Sequence, residues 1–111
     1  FTVPARKLHV SAKLTYEQLA LVETLGIGLH AINRAAPRAD ETVFVIGAGP
    51  IGLSAIEFAK LAGSRVIVMD LNEQRLKFVR EKMGVTETIL SKGDFDADVK
   101  AFTELTNGKL G

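Results

Sequence analysis

Three glycines and one acid carry the most legible chemistry in this sequence. Gly47, Gly49 and Gly52 stand in the run Gly47-Ala48-Gly49-Pro50-Ile51-Gly52, and Asp70 follows about 20 residues further on. Glycines at this spacing are a weak signal alone, since many strand-to-helix turns contain several. The flanks make the signal specific: Val43-Phe44-Val45-Ile46 reads as a buried strand before the turn, and an apolar helix should open after it. In that setting Gly47 permits the tight turn, Gly49 offers no Cβ to obstruct a diphosphate, and Gly52 lets helix and strand pack closely. Pro50 suits a first helical position because it has no N–H to leave unpaired. Ile51 and Gly52 keep free N–H groups that can meet an anion at the positive end of the helix. Asp70, closing the next strand, can accept hydrogen bonds from two ribose hydroxyls and would repel a 2′-phosphate, which favours NAD over NADP. Arg75 argues mildly the other way, because a nearby arginine can hold that phosphate. The plainer alternative is a turn made by glycines and a helix capped by Asp70, with no ligand.

These residues need a scaffold, and the rest of the chain predicts one. Residues 1–14, with Pro4 and scattered Lys and Arg, read as an extended connecting segment, and residues 15–111 as a truncated dinucleotide-binding domain. Thr15 followed three residues later by Gln18 is a helix-start pattern. Leu19, Val22, Leu29, Ile32 and Ala36 continue the apolar face, while Gly26 and Gly28 either break it or admit another backbone, so one broken helix or two short ones should end at Pro37. A strand over 42–48 follows, with consecutive apolar residues as in a parallel sheet covered on both faces. Next come a helix from Pro50 to Gly63, a strand over 65–70, and an amphipathic helix with Leu76, Val79 and Met83 inward and Gly84 as its stop. A short strand over 87–90 and a last helix with Val99, Phe102 and Leu105 on one face complete the pattern. The expected fold class is α/β: a partial Rossmann fold whose three-stranded parallel sheet, in strand order 3-2-1, is flanked by helices.

Composition narrows the function. With 111 residues there is room for one domain, and 14 Lys and Arg against 13 Asp and Glu leave +1, too little field to hold nucleic acid or an anionic membrane non-specifically. No apolar run reaches the roughly 20 residues that span a bilayer, and no secretory pattern opens the chain, so a cytoplasmic protein is expected. Cysteine is absent and only His9 and His30 are present, so no zinc site of the ordinary kind is expected on this chain. Phe1 at the start and the loop-like Gly108-Lys109-Leu110-Gly111 at the end read as the interior of a longer chain.

The stretches Tyr16-Glu17-Gln18-Leu19-Ala20-Leu21-Val22-Glu23, Gly26-Ile27-Gly28-Leu29-His30-Ala31, Val45 to Gly52 and Leu105-Thr106-Asn107-Gly108 together resemble the medium-chain zinc-dependent alcohol dehydrogenase family, particularly its polyol and threonine dehydrogenase-like members. The resemblance covers nearly the whole chain. It implies an NAD-binding domain whose parent enzyme moves hydride from a small alcohol to NAD, with zinc held by a separate catalytic domain. It also implies that Glu23 stands near that zinc, although Thr24 occupies a place where the family usually has proline; the alternative is a solvated helix residue. Ile27 matches a position beside the nicotinamide ring, and Arg75 one beside the adenosine ribose. His30 reads as a hydrogen-bonded core histidine rather than a catalytic one.

The family's binding domain has six strands in the order 3-2-1-4-5-6, so strand 4 is expected just past Gly111 and the first strand should form an exposed edge. Such an edge invites self-association. The isolated chain should be inactive, because hydride transfer also needs an oriented substrate and a polarising ion. A competing reading is a stand-alone NAD-sensing regulatory module, which would not need the family-like segment from Tyr16 to Ala31. A flavoprotein or methyltransferase ranks lower, since a flavoprotein usually has glutamate in place of Asp70 and its turn close to the N-terminus.

Overall fold

The computed structural model describes residues 1–108; the end of the expected C-terminal loop, residues 109–111, lies outside the described residues. Residues 1–14 are exposed throughout and contain one 3-10 turn, Ala5–Lys7. Helix α1, Tyr16–Ala35, starts where the sequence predicts: the Thr15 hydroxyl accepts the Gln18 N–H, and the Gln18 side chain accepts the Thr15 N–H at 2.9 Å. It is one continuous helix of 20 residues, not the broken helix or pair of short helices expected from Gly26 and Gly28. Gly28 explains the difference. A Cβ there would lie 2.1 Å from Ser54 Oγ and 2.7 Å from the Ala55 nitrogen, so glycine serves a close helix crossing. The packing that this crossing permits offsets the roughly 1 kcal/mol that a helical glycine costs. Ala36, left-handed at φ 45, closes the helix before Pro37.

Three strands then alternate with three helices: β1 Thr42–Ile46, α2 Pro50–Leu61, β2 Arg65–Asp70, α3 Glu73–Met83, β3 Glu87–Leu90 and α4 Phe95–Thr106. Both later helices start on acceptor side chains: Asn72 takes the Gln74 and Arg75 N–H groups, and Asp94 those of Asp96 and Ala97. All pairings are parallel in the order β1-β2-β3, the 3-2-1 arrangement read from the other edge.

Register sorts the side chains. Val43 and Val45 of β1 stand beside Val66 and Val68 of β2, and this face meets Ile56 and Ala59 of α2 and Leu76 and Val79 of α3. Phe44 pairs with Ile67 on the opposite face, where its ring lies 4.3 Å from that of Phe102 in α4. Val99, expected inward, is exposed, so α4 is held by Phe102, Leu105 and the buried Thr106. Strand β2 is buried on both faces as its composition requires. Strand β1 pairs only with β2 among the described residues, and of its five residues only Val45 is buried.

Candidate functional site

The carboxyl ends of the strands converge on the glycine turn. Gly47 follows β1 with φ +100, a conformation that side chains rarely adopt, and its N–H bonds the Met69 carbonyl at 2.7 Å. Gly52 tolerates no side chain, because a Cβ would fall 1.8 Å from the Gly47 carbonyl oxygen. At Gly49 the nearest atom to such a Cβ is Arg75 Nη1 at 3.9 Å, so this glycine is not required by packing. What its bare backbone provides is open space over the helix mouth. Gly49 is the N-cap of α2 and has no side chain to satisfy the orphan donors, Pro50 has none to satisfy, and the first helical bond is Leu53 N–H to Gly49 O. The Ile51 and Gly52 N–H groups therefore have no protein partner among the described residues. Two free donors at the positive end of a 12-residue helix are an arrangement able to receive an anion.

Asp70 stands beside this helix mouth. Its Oδ2 accepts the Ala48 N–H at 2.7 Å and its Oδ1 the Asn72 N–H at 2.7 Å, while Arg75 Nη1 lies 3.9 Å from Oδ2. The Ala48 hydrogen bond, against the opposing effect of burial and helped by Asn72 and Arg75, holds the carboxyl below the usual aspartate value. It is ionised at neutral pH. A carboxylate offers about four acceptor positions, so both oxygens retain capacity for further donors. The sequence reading gave Asp70 either a ligand-holding role or a helix cap; the structure caps α3 with Asn72 instead and makes Asp70 a tether between the turn and the end of β2.

Two cavities meet at Arg75. One, about 500 Å³, is lined by Ile46, Gly47, Met69, Asp70, Leu71, Asn72, Arg75 and Ser91. The other, about 420 Å³, lies over Ala48, Gly49, Pro50, Asn72, Arg75 and Phe78. A third, about 580 Å³, runs from the glycine turn along the open edge of β1 to Ile32. Asn72 and Ser91 are the residues that sequence reasoning missed. Asn72 was legible as a helix start, but its N–H contact to Asp70 depends on the turn after β2. Ser91 had no sequence signal; it reaches the cavity because β3 lies next to β2.

Glu23 and Ile27 stand apart from this cluster. Both are exposed on α1, as is His30, which was expected in the core; neither Glu23 nor His30 makes an ion pair or side-chain hydrogen bond among the described residues. No three His, Cys, Asp or Glu residues gather as a metal-binding group among the described residues. Glu23 is thus a single carboxylate, and no chemical step follows from it through a metal.

A parallel three-stranded sheet flanked by helices, with a glycine turn between β1 and α2, defines the Rossmann class. Residues 50–109 match the zinc-binding dehydrogenase family. The chain belongs to that family, the medium-chain zinc-dependent alcohol dehydrogenases. It is 38% identical over 108 residues to the (R,R)-butanediol dehydrogenase of Neisseria gonorrhoeae, covering 96% of this chain and 30% of that protein. With the L-galactonate-5-dehydrogenase of Escherichia coli it shares 36% over 100 residues, covering 90% of this chain and 29% of that protein. Among solved structures, an Escherichia coli alcohol dehydrogenase complexed with NADH superposes with a TM-score of 0.76 at 27% identity, covering 94% of this chain and 31% of that one. The 2R,3R-butanediol dehydrogenase of Bacillus subtilis gives 0.67 at 30% identity, covering 88% and 28%. This chain thus spans less than a third of the relatives it matches. Among the described residues no helix is long and apolar enough to cross a membrane.

Proposed function

We propose that residues 15–111 form the part of an NAD-dependent alcohol or polyol dehydrogenase that grips the adenosine diphosphate end of the cofactor, with residues 1–14 as the connection into it. The observation that carries this reading is the pair of free N–H groups, Ile51 and Gly52, beside the ionised Asp70 carboxylate. The N–H groups hold the diphosphate, Gly49 leaves it room, and Asp70 accepts the ribose hydroxyls. Asp70 also disfavours a 2′-phosphate, so NAD binds in preference to NADP despite Arg75. NAD supplies the hydride acceptor when bound. The likeness to polyol dehydrogenases and to an NADH-bound alcohol dehydrogenase supports a small alcohol as the substrate of the whole protein.

The chain alone transfers no hydride in this reading, because that step also needs an oriented substrate and a polarising ion. Its contacts end with the adenosine diphosphate, so calorimetric titration with NAD and with ADP-ribose should give similar, weak binding. A much tighter NAD complex would overturn the division of contacts, and no association of either at millimolar concentration would overturn the function. The open edge of β1 further supports self-association through that strand. Light scattering that reports a monomer at high concentration would remove this part.

A further inference from the structure

Across the sheet, Gly47, Asp70 and Ser91 form a row. Each stands at or just past the carboxyl end of its strand; the Gly47 N–H bonds the Met69 carbonyl at 2.7 Å and the Ser91 N–H bonds the Asp70 carbonyl at 3.0 Å. With neighbouring strands about 4.8 Å apart, the row spans about 10 Å, the reach of a nucleoside diphosphate. A diphosphate at the glycine turn and a ribose on Asp70 leave the base pointing away from β1, toward Leu71 and Ser91 on the far wall of the same cavity. Leu71, 71% exposed, offers an apolar surface for its face.

Ser91 presents an unusual hydroxyl to that edge. It is 8% exposed, its O–H donates to Asp98 Oδ2 at 2.5 Å, and its oxygen accepts the Gly93 N–H at 3.1 Å. A hydroxyl has one hydrogen and two lone pairs. Its hydrogen is committed to a carboxylate, the stronger kind of partner, and one lone pair is taken by Gly93. The remaining capacity is acceptor only.

We propose that Ser91, fixed in polarity by Asp98, selects the base of the bound nucleotide and favours adenine, whose exocyclic amine donates, over a 6-oxopurine, whose oxygen would meet another acceptor. This inference rests on the nucleotide site proposed above. The test is titration of the full chain with ADP and with IDP, which share the ribose and the diphosphate and differ in the 6-substituent and in the proton that inosine carries on the adjacent N1. ADP should bind about threefold to tenfold more tightly, the effect of one hydrogen bond. Ser91→Ala should bring the ratio close to one. Asp98→Ala, which removes the acceptor and frees the hydroxyl hydrogen to turn toward the ligand, should shift it toward IDP. A loss of fold would weaken both ligands alike, so the ratio separates base selection from structural damage. Equal binding of ADP and IDP to the unaltered chain, or an unchanged ratio in Ser91→Ala, overturns the inference while the nucleotide site stands. Absence of binding by either ligand overturns both.

Discussion

The Asp70 carboxylate accepts the Ala48 N–H at 2.7 Å, joining the end of β2 to the middle of the glycine turn. The residue proposed to hold the ribose thus also shapes the loop proposed to hold the diphosphate. Asp70→Ala should lower ADP-ribose affinity at least tenfold. It should also destabilise the chain by roughly 1–3 kcal/mol, because the Ala48 and Asn72 N–H groups lose a charged acceptor. Calorimetry and a denaturant melt measure the two effects separately; unchanged affinity would contradict the site.

The same carboxylate sets a pH dependence. Its folded value lies below the ordinary 3.8, chiefly through the Ala48 hydrogen bond, so on acidification the unfolded chain takes up the proton first. The stabilisation is complete above the unfolded value and is lost as pH falls through the folded one. Stability should therefore be flat in this respect near neutrality and decline below about pH 4. In Asp70→Asn the decline should be shallower, as acid titration followed by circular dichroism would show.

Gly49 and Gly52 should fail differently. Gly52→Ala places a methyl 1.8 Å from the Gly47 carbonyl oxygen and must distort the turn, with an expected cost of about 1–3 kcal/mol or more. Gly49→Ala meets no atom closer than 3.9 Å and should change stability by less than about 0.5 kcal/mol while weakening nucleotide binding tenfold or more. If thermal melts ranked the two the other way round, the roles assigned to these glycines would be wrong.

Helix α1 docks through Gly28. A methyl there strikes Ser54 Oγ and also the Ala55 backbone, so Gly28→Ala should cost about 1–3 kcal/mol. Adding Ser54→Ala relieves the side-chain clash but leaves the backbone one at 2.7 Å, and it removes the Ser54 hydrogen bond to the Leu25 carbonyl. Rescue in the double variant should be partial or absent, a result readable from urea midpoints.

Ile46, 72% exposed on the open strand, offers a direct handle on association. Ile46→Lys puts a charge on the edge and should shift the chain toward monomer without unfolding it. Sedimentation velocity across a concentration series would show whether the charged edge matters.

Much of this arrangement was legible in the residues. The Thr15 and Gln18 capping pair, the β-branched runs over β1 and β2, the glycine turn with Pro50, and Gly84 after α3 are local signals, each set by the conformation of a few neighbouring residues. They determined the order of elements, the parallel sheet, the family and the approximate place of the site. The continuity of α1, the outward position of Val99, the second role of Asp70 and the place of Ser91 were not legible, since each depends on a contact between distant segments. Gly28 is tolerated inside a helix only because Ser54 and Ala55 arrive beside it, and Ser91 joins the cavity only because β3 pairs with β2. Sequence fixes what each segment can form by itself; which backbone approaches which, and which polar group is left with capacity for a ligand, is decided when the segments pack and exclude water from one another.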